Sequence, residues 1–237
     1  MKCKKLVSSV LAGAMAGVMV LSMSGCSLLL GSGSKVGRNK LKDFAEEAGA
    51  VAYDDTDEFI EVFIEEDAGQ NAKKIKKGGV IDLEGKDLKS FLKNSDVHGA
   101  FNIDLGYEKT MTAGTAFVRG EYNQNSETWA FIGMSIDFES ADDAADYFDD
   151  IADKIDEIYD SVPSSNDTDT DDGEENGIAY FIATSTNSAN DITISEGVYQ
   201  NGKSVLIVVA LDRQTDEGGE TLCDFCEALG IECPAEL

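Results

Sequence analysis

Between Thr128 and Glu139 every second residue is apolar: Ala130, Ile132, Met134, Ile136 and Phe138. Successive side chains of an extended chain point to opposite faces, whereas a helix repeats every 3.6 residues, so this stretch buries a face only as a strand. Thr115 to Tyr122 precedes it across Asn123-Gln124-Asn125-Ser126, a turn-rich loop that makes the pair a hairpin. Ser140 then caps a helix, with Asp142 and Asp143 in its positive first turn. Ala144, Phe148, Ile151, Ile155 and Ile158 form its apolar stripe, and Pro163 ends the segment.

The order recurs. Gly177 to Ser185 reads as a strand, and Ile192, Ile194 and Val198 alternate on the next. Asn201-Gly202 predicts a type I′ turn, whose two central residues need positive φ. Val205 to Leu211 is continuously apolar, as a strand buried on both faces would be. Leu222, Phe225, Cys226 and Leu229 mark a last helix closed by Gly230. A strand-strand-helix unit therefore occurs twice over residues 113–237, giving an α+β core: an antiparallel sheet with helices packed on one face. Residues 41–112 read as a mainly helical segment of the same compact domain. Leu41, Phe44, Ala45 and Ala48 define a helix stopped by Gly49, and Phe59, Ile60, Phe63 and Ile64 fit a helix or a strand. Leu41-x-Asp43-Phe44-x-Glu46-x-x-Gly49 matches Leu222-x-Asp224-Phe225-x-Glu227-x-x-Gly230. Duplication and the shared grammar of amphipathic helices both account for it.

The first 26 residues have another character: Lys2, Lys4 and Lys5, an apolar run from Leu6 to Met23, then Ser24-Gly25-Cys26. A basic start, an apolar middle and small residues before a processing point make a secretory signal. Leu21-Ser22-Met23-Ser24-Gly25-Cys26 resembles the lipobox of bacterial lipoprotein precursors. The resemblance implies removal of residues 1–25 and attachment of lipid to the Cys26 thiol. The membrane is then a partner, and the chain lies outside the cytoplasm, or on the periplasmic side of a double-membraned host. Each buried methylene contributes about 0.8 kcal/mol, so two or more acyl chains hold such a protein firmly. Residues 26–40, with Gly31, Ser32, Gly33 and Ser34, read as the lipidated cysteine and its tether.

Loss of the signal leaves 16 basic residues against 46 acidic ones, a formal charge of −30. Such a field repels phosphates, which argues against nucleic acid as a partner. Cys223, Cys226 and Cys233 cluster at the C-terminus. In an oxidising compartment they predict one bridge, from Cys223 or Cys226 to Cys233, with three thiolates on a metal as the alternative.

Asp167-Thr168-Asp169-Thr170-Asp171-Asp172-Gly173 resembles the start of a calcium-binding EF-hand loop, with Asp167, Asp169 and Asp171 as candidate ligands. Asp172 stands where that loop has its turn glycine, and Ile178 where it has its closing glutamate. The plain alternative is a solvated loop. Lys73, Lys74, Lys76 and Lys77, extended by Lys86, Lys89 and Lys93, form a basic island suited to anionic headgroups or to the protein's own acids. His98, the single histidine, lies in a loop-like stretch without the glycine pattern of a nucleophile elbow. Trp129, Tyr122, Tyr180 and Tyr199 suit a ligand surface or cross-strand pairs.

With neither a catalytic constellation nor a cofactor fingerprint, the expected function is a non-catalytic, membrane-anchored binding module for an envelope protein or a small ligand. Two other classes stay open: a cell-envelope hydrolase using carboxylates, and a calcium-dependent surface module. A buried acid of raised pKa in a cleft would favour the hydrolase, and an exposed apolar patch on a helix-free sheet face would favour protein docking.

Overall fold

The structure, a computed structural model, describes residues 34–63, 75–121 and 127–237. The signal segment, Cys26, Lys73, Lys74 and Tyr122 lie outside them. The elements are α1 (Arg38–Glu47), β1 (Val51–Tyr53), α2 (Thr56–Phe63), β2 (Gly79–Glu84), α3 (Gly85–Leu92), α4 (Ser95–Phe101), β3 (Met111–Glu121), β4 (Thr128–Phe138), α5 (Ala141–Ser161), β5 (Asp167–Glu175), β6 (Ile178–Asn187), β7 (Ile192–Asn201), β8 (Ser204–Arg213) and α6 (Glu217–Leu229).

The strands form one eight-stranded sheet in the order β1-β2-β3-β4-β8-β7-β6-β5. Only β1 and β2 run parallel; every other neighbouring pair is antiparallel. The α+β class and the recurrence of hairpin then helix hold, as β3-β4-α5 and β7-β8-α6. The two halves meet along β4 and β8, from Thr128 opposite Arg213 to Asp137 opposite Ser204. The segment 41–112 is less helical than expected, because it supplies β1 and β2 to the sheet edge. The described residues, from Ser34 onward, form one compact unit.

Helices cover both faces of the sheet, not one. On the first face Leu88, Phe91, Val97, Phe101, Tyr147, Ile151 and Ile155 pack on Met134, Ile136, Val205 and Ile207. On the second, Leu41 and Phe44 of α1 and Leu222 and Phe225 of α6 pack on Phe117, Phe131, Leu206 and Val208. The continuous apolar run of β8 already required two covering layers. The alternation in β4 concealed the second one. Its residues between the large apolar side chains include Gly133 and Ser135, both buried but not solvated. A Cβ on Gly133 would lie 2.9 Å from Leu41 Cδ1, and the Ser135 hydroxyl donates to the Val36 carbonyl at 2.9 Å. These small residues are the seat of α1. The helices with matching sequences, α1 and α6, share that face, with the Phe44 and Phe225 ring centroids 4.8 Å apart.

Two turns differ from the sequence reading. The β5–β6 hairpin turns at Asn176-Gly177, with φ of 54° and 77°, the type I′ pattern that Asn-Gly suits. At the β7–β8 turn Asn201 belongs to the strand, and Gly202 with φ of 60° leads the two-residue link to Ser204. That is the type II′ pattern with glycine first. Asn201 instead ties down the incoming chain: it accepts from the Lys35 amide at 3.0 Å, and its side-chain amide donates to Gly177 O at 2.8 Å. The Ser34 hydroxyl donates to Asn201 O at 2.9 Å, Val36 is buried and α1 starts at Arg38. The segment expected as tether up to Lys40 is therefore folded from Ser34 onward.

Candidate functional site

Each sequence candidate among the described residues has a definite place. Asp167–Glu175 is not a loop but the edge strand β5, paired antiparallel with β6. Residues two apart on a strand are separated by about 6.6 Å, so Asp167, Asp169 and Asp171 spread over roughly 13 Å and do not converge on one cation. Among the described residues no group of three or more His, Cys, Asp and Glu is placed to hold a metal ion. A carboxylate-rich edge instead discourages pairing with another sheet.

Cys223 is bridged to Cys233, and Cys226 is a buried free thiol. Burial pushes that thiol up to about 12, which leaves it inert. The disulfide fits a chain that matures in an oxidising compartment. His98 lies in α4, not in a loop; its Nε2 is 2.7 Å from Leu92 O and 3.2 Å from an Asp104 carboxylate oxygen. Lys86, Lys89 and Lys93 line a surface hollow of about 490 Å³ beside α3. Trp129 and Tyr199 are buried in the packing, and the Tyr180 hydroxyl donates to Asp171 across the β5–β6 pair at 3.2 Å. Among the described residues no helix is long and apolar enough to cross a membrane.

One residue that the sequence reading passed over stands apart. Glu196 lies on β7 between Ile194 and Val198, on the sheet face that packs against α5, and is 1 % exposed. Its neighbours across the strands are Ala183 and Val209. Its Oε1 accepts from the Asn102 side-chain amide at 3.4 Å, and its Oε2 has no hydrogen-bond partner. Burial pushes the carboxyl up to about 7, and the Asn102 bond offsets only part of this. Its charge in turn helps, after burial, to raise Tyr159 of α5, whose hydroxyl donates to Ile194 O at 3.3 Å.

Glu196 forms part of a cavity of about 120 Å³. The floor is two rows across three strands: Ala130, Leu211 and Ile194, then Ile132, Val209 and Glu196. Gly99, Ala100 and Asn102 at the end of α4 form the roof. Asn102 is the C-cap of α4 with φ of 57°, a left-handed conformation that asparagine tolerates better than most residues. Exposure of Gly99 and Asn102 and half-burial of Ala130, Ile132, Ile194 and Leu211 show that the cavity opens to solvent. A signal for it existed in the sequence: Ile192, Ile194, Glu196 and Val198 share one face of a strand, and an acid in that series breaks the apolar pattern.

Among the described residues the other buried carboxylate with a shifted pKa is structural. Asp212 is 6 % exposed and accepts from the Gly218 and Gly219 amides at 2.8 and 2.7 Å, so a strand side chain caps the start of α6. Burial raises its pKa, the two amide bonds hold it down, and Asp216 and Glu217 push it up again. Both of its oxygens are used, which distinguishes it from Glu196.

No protein family matches this chain, and no curated protein matches it. A solved structure that resembles it is the extracellular domain of PknH from Mycobacterium tuberculosis, with 13 % identity and a TM-score of 0.40 over 65 % of this chain and 84 % of that one. A likeness of that size carries no argument about function.

Proposed function

We propose that the protein is a lipid-anchored, extracytoplasmic binding module, non-catalytic, that takes a small ligand in the cavity over Glu196. The observation that carries this reading is a buried carboxylate with an unpartnered oxygen lining an open cavity whose other residues, Asn102 apart, are apolar. A few placed polar groups among apolar walls are what ligand sites are made of. The anchor rests on the resemblance of Leu21–Cys26 to a lipobox, and the disulfide supports export.

A buried acid of raised pKa also meets the criterion set for a hydrolase, but the rest of that machinery is not in the cavity. Hydrolysis by carboxylates uses two of them, about 5 to 9.5 Å apart, and Glu196 is the single carboxylate among the lining residues, with no Ser, Cys, His or Lys beside it. Docking through an apolar face has little support, since both sheet faces are covered. The exposed large apolar residues among those described are Val51 and Leu237.

The test is equilibrium dialysis of the processed protein and of its Glu196→Gln variant against a small-molecule extract of the host, followed by mass spectrometry. A compound concentrated by the parent protein and not by the variant supports the reading. Enrichment of nothing, or equal enrichment by both, refutes it.

A further inference from the structure

We propose that the cavity over Glu196 is a site for a small organic monocation, a short alkylammonium whose charged end meets Glu196 and whose aliphatic body lies on Ile132, Ile194 and Leu211. This deepens the binding-module reading and rests on it.

Three observations select the class. Glu196 Oε2 is buried and unpartnered, and an ionised carboxylate in an apolar environment is costly until an opposite charge joins it. Among the described residues none supplies such a charge: Asn102 from α4 is neutral, Tyr159 from α5 is kept protonated, and Ala183 and Val209 flank Glu196 on the neighbouring strands. Among the described residues no Lys, Arg or His lines the cavity. A ligand that brings the counter-charge stabilises the ionised carboxylate, and a chain of formal charge −27 concentrates cations around itself. Size excludes larger candidates. Drug-sized ligands occupy about 300 Å³ or more, whereas about 120 Å³ admits a molecule of a few heavy atoms. The aliphatic floor suits a hydrocarbon body, and no polar lining residues beyond Asn102 and Glu196 are available for a polyhydroxylated one.

The test compares 3-methylbutylammonium with its near-isostere 3-methylbutan-1-ol on the full processed chain, by titration while following the methyl NMR signals of Ile132 and Ile194. The ammonium is charged across the whole range used, so pH acts through Glu196. With that carboxyl titrating at about 7, lowering the pH from about 8.5 to about 5.5 should weaken ammonium binding about 30-fold and leave the alcohol unaffected. Glu196→Gln should abolish the preference for the ammonium. The comparison across pH needs no variant, so it stands even if that substitution disturbs folding. Equal binding of alcohol and ammonium would overturn the cation class while leaving a ligand cavity in place. If neither probe moves the two isoleucines, the site itself is overturned.

Discussion

Replacing Glu196 by Gln should make this protein more stable above neutral pH, although the substitution touches its candidate site. The structure sets both sign and size. In the unfolded chain Glu196 titrates near its ordinary 4.5, and in the folded chain at about 7. Between those values the folded state holds a proton that the unfolded state has released. Stability therefore falls as pH rises through this window, and the contribution fully present below about 4.5 is gone above about 7. Raising the proton affinity by that much corresponds to about 3 kcal/mol. Glutamine keeps the carbonyl that accepts from Asn102 and cannot ionise, so its stability lacks this slope. The unmet donors of its amide return about 1 kcal/mol of the gain. Urea denaturation followed by fluorescence of Trp129, the single tryptophan, would measure both proteins from about pH 4.5 to about pH 8, with the disulfide kept oxidised. The parent minus the variant cancels the other acids whose pKa burial raises, Asp212 among them. Parallel curves for the two proteins would refute the reasoning, because they would mean that Glu196 is solvated or paired in the folded state.

Asp212→Asn should cost about 2 kcal/mol, because one of the two amides it now accepts, from Gly218 or Gly219, loses its partner at a buried helix start; thermal denaturation by circular dichroism reads this, and an unchanged midpoint would contradict the cap. Phe225→Ala should cost about 3 to 5 kcal/mol by opening a cavity beneath Phe44 and Phe131, which its ring touches; urea unfolding measures it, and a loss under about 1 kcal/mol would mean that α6 is loosely packed. Cys233→Ser should cost about 3 kcal/mol through loss of the bridge to Cys223, while Cys226→Ser should leave the bridge intact. Non-reducing peptide mapping distinguishes the two, and a Cys226–Cys233 bridge in the parent protein would reverse the expectation.

Local chemistry determined much of this protein. The alternation of β4, the unbroken apolar run of β8, the Ser140 cap and stripe of α5 and the glycine stop of α6 were legible because each is written within a few turns or strand residues. Their periods come from backbone geometry alone. The three cysteines that share one bridge were legible too, although pairing of Cys223 rather than Cys226 followed only from how α6 turns toward Cys233. Local grammar can also point two ways. Asn176-Gly177 signals a hairpin, while the carboxylates before it suit a solvated loop; pairing with β6 makes them the edge strand β5.

What only the tertiary structure decided is whatever joins distant residues. Nothing near Gly133 and Ser135 in the chain says that Leu41 and Val36 will settle on them, so from its own residues β4 reads as half solvated and the second layer of helices stays hidden. The Glu196 site is of the same kind. Its amide partner Asn102 lies 94 residues away, and its floor is drawn from three strands brought into register by the sheet. Sequence periodicity states which way a side chain points. Whether that direction holds water, protein or an empty cavity depends on the surface packed against it, and only the assembled fold supplies that surface.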